Sequence, residues 1–124
     1  MEANVESFPM TDKRILLVTV PDRETGERTA HRLLEKRIAA CVQVLPGIES
    51  FYHWEGKLER SEELLLIIKT KDSLMAEVER EVRSIHPYKV PQIVAVPILW
   101  GHKPYMAWID ESCESFASPS GAKS

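Results

Sequence analysis

Apolar and polar positions along the chain change their period at clear boundaries, and each change marks an element. "RILLVTV" (14–20) is an apolar run rich in β-branched residues that stops at Pro21, which predicts a strand. "DRETGERTAHRLLEKR" then places Ala30, Leu33, Leu34 and Arg37 at helical spacing behind Asp22, a candidate N-cap. Lys36 and Arg37 suit the negative end of that helix. Two longer β-rich runs, "IAACVQVLPGIESFYHW" and "KLERSEELLLIIKT", flank Glu55-Gly56, a two-residue link that predicts a hairpin. "DSLMAEVEREVRSIH" carries Leu74, Val78, Val82 and Ile85 on one face and predicts an amphipathic helix capped by Asp72. "QIVAVPILW" predicts an edge strand bent at Pro97, and "KPYMAWIDESCE" a short helix with Pro104 in its first turn.

The order β-α-β-β-α-β plus a terminal helix predicts an α+β, ferredoxin-like plan, one antiparallel sheet with two helices on one face. A single domain is expected over 13–115, between loose tails at 1–12 and 116–124 ("FASPSGAKS").

Two features of this plan do not suit an isolated subunit. A sheet covered on one side alternates apolar and polar residues, yet "ILLV", "LLLII" and "IVAV" are apolar throughout. The uncovered side would be an apolar patch of several hundred Å², on the order of the largest that soluble monomers tolerate. Reach is the second feature. Lys57 to Thr70, extended at about 3.3 Å per residue, spans ~46 Å, whereas a compact domain of this length has a diameter of roughly 35 Å. Pairing outward from the turn sets Trp54 opposite Lys57, Tyr52 opposite Glu59 and Ile48 opposite Glu63. Deeper in, the same register sets Val44 opposite Ile67 and Leu45 opposite Leu66. The outer arm, hairpin 48–63, is therefore aromatic on one strand and charged on the other. Together the arm and the bare sheet face predict association with further copies of the same chain.

Composition narrows the function classes. The net charge of −3 gives no basic footprint for nucleic acid, and the strands "LLLIIK" and "IVAV" lack the aromatics an RNA-binding sheet stacks on bases. No run reaches the ~18 apolar residues of a membrane helix. The opening "MEANVESFPM" has no secretory pattern, so a cytoplasmic location is expected. Cys41 and Cys113 have no CxxC spacing and read as reduced thiols, with Cys41 expected to be buried and inert among apolar neighbours. The acidic clusters "EVERE" and "ERSEE" read as solvation, and no nucleophile–base pair or phosphate-cradling loop stands out. No enzyme activity is expected.

"EKRIAACVQVLPGIESFYHWEGKLE", "LLIIKT" and "HPYKVPQIVAVPI" occur in that order and together resemble the CutA family of divalent-cation tolerance proteins, over about Arg14 to Ile109. The resemblance implies a ferredoxin-like subunit in a cytoplasmic homotrimer, with the hairpin engaging its neighbours. It also implies a role in copper and other metal tolerance and an architecture like that of nitrogen-regulatory signalling trimers.

Chemistry concentrates in "SIHPYKVPQIVAVPILWG" (84–101). Some relatives are credited with a Cu(II) site made by a first-strand Cys and two adjacent His after the second helix. The matching positions here are Val18, Ile85 and His86, so His86 is the single metal-ligand candidate for Cu(II) or another divalent cation. The position after the second Pro, often acidic in the family, is Gln92. The broader reading is a small-molecule cleft formed by His86, Tyr88, Lys69, Tyr52, Trp54 and Gln92, which combines a titratable ring, a phenol, a cation and flat apolar surface. That alternative is a regulatory trimer with no direct metal role.

Overall fold

The structure, a computed structural model, describes residues 11–113. The segments 1–10 and 114–124, which hold most of both expected tails, lie outside the described residues. Thr11 and Asp12 are tied to the domain: the Thr11 hydroxyl donates to the Ile98 carbonyl, and the Asp12 carbonyl accepts from the Asp72 amide.

The elements run β1 (Lys13–Val20), α1 (Arg23–Glu35), β2 (Cys41–Trp54), β3 (Lys57–Lys71), α2 (Met75–Ile85), β4 (Ile93–Pro97) and α3 (Lys103–Ser112). The strands make one sheet in the order β2-β3-β1-β4, antiparallel at every pairing. β4 pairs only with β1, so Pro97 sits on an edge, where its missing N–H is harmless.

One face of the sheet is core. Leu16, Val18 and Val20 of β1 and Leu66 and Ile68 of β3 are buried with Leu33 of α1 and Val78 and Val82 of α2. Each such side chain contributes roughly 1.5–3 kcal/mol by leaving water. α1 packs directly on this face, and a Cβ at Gly26 would meet the Leu66 and Val20 side chains at 3.4 Å. The opposite face is not covered by α1 or α2. Ile15, Leu17, Leu65 and Ile67 are half-buried there, and Leu45, Val94 and Val96 are 49%, 49% and 41% exposed. These residues are neighbours across the strands, through the pairs Leu17↔Ile67, Leu17↔Val94, Ile15↔Val96 and Leu45↔Leu65.

Several expectations need correction. Asp22 does cap α1, its carboxylate accepting from the Thr25 amide at 2.8 Å. Arg37 is not helical: it takes a left-handed conformation (φ 56°) just past α1, where the Arg37 and Ile38 amides donate to the Leu34 and Leu33 carbonyls. This is the helix-ending motif that usually employs Gly. Asp72 is not a cap, because a 3₁₀ turn at Asp72–Leu74 intervenes and the N-cap of α2 is Leu74. The outer hairpin pairs as expected, with Ile48↔Glu63, Tyr52↔Glu59 and Trp54↔Lys57. The inner half does not: Val44 faces Leu66 and Leu45 faces Leu65. Pro46 and Gly47 (φ 82°) form a β-bulge that shifts the register by one residue. Cys41 is half-buried on the open face rather than buried, whereas Cys113 is buried, and neither is bridged.

Candidate functional site: a cleft at the root of the hairpin

α2 ends because Pro87 forces the residue before it out of helical geometry, and His86 is extended (φ −68°, ψ 134°). That turn swings the imidazole inward, where it is 7% exposed. Nδ1 of His86 lies 3.2 Å from the Tyr88 amide, which can only donate, so Nδ1 is the acceptor. Nε2 therefore carries the hydrogen and donates to the Thr19 carbonyl at 2.7 Å. His86 thus clasps the corner to the end of β1.

The clasp orients Tyr88, whose ring centroid lies 4.7 Å from that of His86. The Tyr88 hydroxyl donates to Glu63 Oε2 at 3.1 Å, and the Ser50 hydroxyl donates to Glu63 Oε1 at 2.6 Å. Glu63 is only 6% exposed. Burial, and then the adjacent Glu63 carboxylate, push the Tyr88 phenol up to about 12. Glu63 shares a face with Leu65, two residues along β3, and Leu65 pairs with Thr19. The group therefore stands on the side of the sheet away from α1 and α2.

Around it opens a cleft of about 610 Å³, lined by Thr19, Tyr52, Trp54, Glu63, Tyr88 and Gln92 among others. Four of the six expected site residues, Tyr52, Trp54, Tyr88 and Gln92, line this cleft. His86 is beneath it and holds it in shape. Lys69 is elsewhere: it is six residues from Glu63 along β3, about 20 Å, donating to Gln43 at 2.7 Å and to the Tyr105 hydroxyl at 3.4 Å. Sequence reasoning missed Ser50 and above all Glu63, which it counted among solvated acids. The legible signal was its pairing opposite Ile48, next to the Pro-Gly bulge and two residues from Leu65.

Val18 and Ile85, at the positions credited as metal ligands in some relatives, are apolar core residues. Both ring nitrogens of His86 are engaged. Among the described residues no three His, Cys, Asp or Glu side chains cluster as metal ligands. A transition-metal ion wants three or four such donors, so this donor set does not fit a Cu(II) centre within one subunit.

The family model described as CutA1 divalent ion tolerance protein matches residues 14–112. The chain belongs to the CutA1 family. Its divalent-cation tolerance relative from Archaeoglobus fulgidus is 48% identical over 99 residues, covering 80% of this chain and 96% of that protein. The solved structure of the Thermus thermophilus divalent cation tolerance protein superposes with a TM-score of 0.80 at 39% identity, covering 82% and 99% of the two chains. CutA1 from Oryza sativa gives 0.82 at 40% identity, covering 86% and 97%. The chain spans about three-fifths of the chloroplastic CutA proteins of Arabidopsis thaliana and rice, 59% and 63% of their lengths. Divalent-cation tolerance is thus the family's named role, and the α+β fold with its four-stranded antiparallel sheet is the CutA1 fold.

Proposed function

We propose that this chain is one subunit of a ferredoxin-like homotrimer that serves divalent-cation tolerance by binding a small molecule and signalling its presence, without catalysis. One observation carries the reading. The cleft stands on the same side of the sheet as the half-exposed apolar face, since Glu63 and Leu65 are two residues apart on β3, so a neighbouring copy seated on that face would border it. Sites of this kind, with aromatic walls and a few convergent polar groups, are common at subunit boundaries. The β2-β3-β1-β4 order supports the ferredoxin-like plan. The exposure of Phe51, Trp54 and Leu58 on the arm, at 64%, 47% and 73%, supports association through hairpin 48–63. Two unbridged cysteines suit a reducing compartment such as the cytoplasm.

A direct copper role through His86 is the weaker reading, because the ring would have to release the Thr19 carbonyl and the Tyr88 amide. Native mass spectrometry of the full chain with Cu(II), Zn(II) and a nucleotide panel tests both. The expected species is three times the 14.2 kDa chain mass, with any bound metal retained in His86→Ala. A folded species of single-chain mass would overturn the trimer, and loss of metal in that variant would restore the copper reading.

A further inference from the structure

We propose that the cleft is selective for organic cations: an amine whose ammonium meets the Glu63 carboxylate while its apolar part lies against Tyr52. The proposal rests on the reading of this cleft as a ligand site and adds the sign of the ligand's charge.

A carboxylate as buried as that of Glu63 is normally matched by a cation, because the loss of water around an unpaired charge is expensive. Here both oxygens are held by neutral hydroxyls, from Ser50 and Tyr88. Among the described residues no Lys, Arg or His forms an ion pair with Glu63, whereas Glu49, Glu62 and Glu77 each have one and Glu81 has two. A carboxylate has about four lone-pair positions, so two hydroxyls leave acceptor capacity unused. Tyr88 adds no positive charge to offset the carboxylate, since its phenol is neutral at neutral pH.

The walls suit the same ligand. Tyr52 lies on the face that carries Glu63: it pairs with Glu59, and its hydroxyl is 3.2 Å from that of Ser61, the next residue on that face toward Glu63. Tyr52 is 40% exposed, so its ring is available to a ligand. Cations favour aromatic faces, within about 6 Å of the ring centre. The one cation in the lining, Lys89, is exposed at the mouth, where water and salt screen it. The buried carboxylate, less screened, sets the sign of the interior.

The test uses three probes of nearly one shape and three charges: phenethylamine, phenethyl alcohol and 3-phenylpropionate. Each is titrated into the full-length protein in its native assembly, with the ring signals of Tyr52, Tyr88 and Tyr105 as reporters and calorimetry for affinity. The expected result is a saturable shift confined to Tyr52 and Tyr88 with the amine, at least tenfold tighter than with the alcohol and no saturation with the acid. Glu63→Gln should erase the preference for amine over alcohol. Since that variant could misfold, the ranking of the three probes on the wild-type protein decides the matter independently. Equal binding of amine and alcohol, or tighter binding of the acid, overturns the cation selectivity while leaving the cleft a ligand site. No shift of Tyr52 or Tyr88 with any probe overturns both.

Discussion

At the residue scale the deciding group is His86. Its two nitrogens join the Thr19 carbonyl at the end of β1, in a buried bond, to the Tyr88 amide in the corner, in a part-buried one. Removing the ring leaves a buried acceptor and a donor unpaired, each worth roughly 1–3 kcal/mol. His86→Ala is therefore expected to lower unfolding free energy by about 2 kcal/mol or more in chemical denaturation and to broaden the Tyr88 amide signal. A stability within error of wild type would remove His86 from its clasp role. Tyr88 supplies a pH signature. Its phenol titrates at about 12 in the folded protein against an ordinary 10.0. A raised folded value gives stability that is fully present below the unfolded value and lost as pH climbs between the two. Thermal midpoints should thus fall over that alkaline interval, and Tyr88→Phe should lose that component of the fall. Identical alkaline profiles for the two proteins would contradict the Tyr88–Glu63 pairing.

At the scale of elements the long hairpin is governed by one bulge. Pro46 has no N–H to give to β3, and Gly47 adopts φ 82°, a conformation that costs an L-residue roughly 1–2 kcal/mol. The extra residue moves Ile48, Tyr52 and Trp54 onto the face of Glu63, whereas without it they would point to the opposite side. Gly47→Ala is expected to destabilise the protein by about 1 kcal/mol, since nothing in the surroundings blocks the new methyl and only the backbone resists. The Trp54 indole signal should shift as the arm readjusts. A variant as stable as wild type, with that signal in place, would show the bulge to be unstrained.

At the scale of the molecule the open sheet face sets the expectation. Val94 is 49% exposed in the subunit and adjoins Leu17 on β1. A glutamate there is expected to change subunit stability by no more than about 0.5 kcal/mol, as surface substitutions do. In an assembly that covers the face it buries a charge, a penalty of several kcal/mol, and about 3 kcal/mol corresponds to roughly a hundredfold in dissociation constant. Sedimentation of Val94→Glu should therefore show dissociation at concentrations where wild type is assembled. Unchanged assembly would place the contact elsewhere.

The periodicity of the chain carried the element types and their order, the hairpin turn, the Asp22 cap and the bare apolar face, because each depends on neighbours within a few residues. The three motifs carried the family. What it could not carry depends on distance in space. Arg37 takes the position a Gly would signal, so the end of α1 is hidden in composition. Lys69 and the corner are both polar in the sequence, yet lie at different ends of the sheet. The tertiary structure alone decided which of many acidic residues is buried: the bulge turns the hairpin's faces, the His86 clasp brings Tyr88 across, and only together do they enclose Glu63. Local pattern specifies which residues dislike water, while burial of a single carboxylate is a property of the surfaces that converge on it from β1, β2, β3 and the corner after α2.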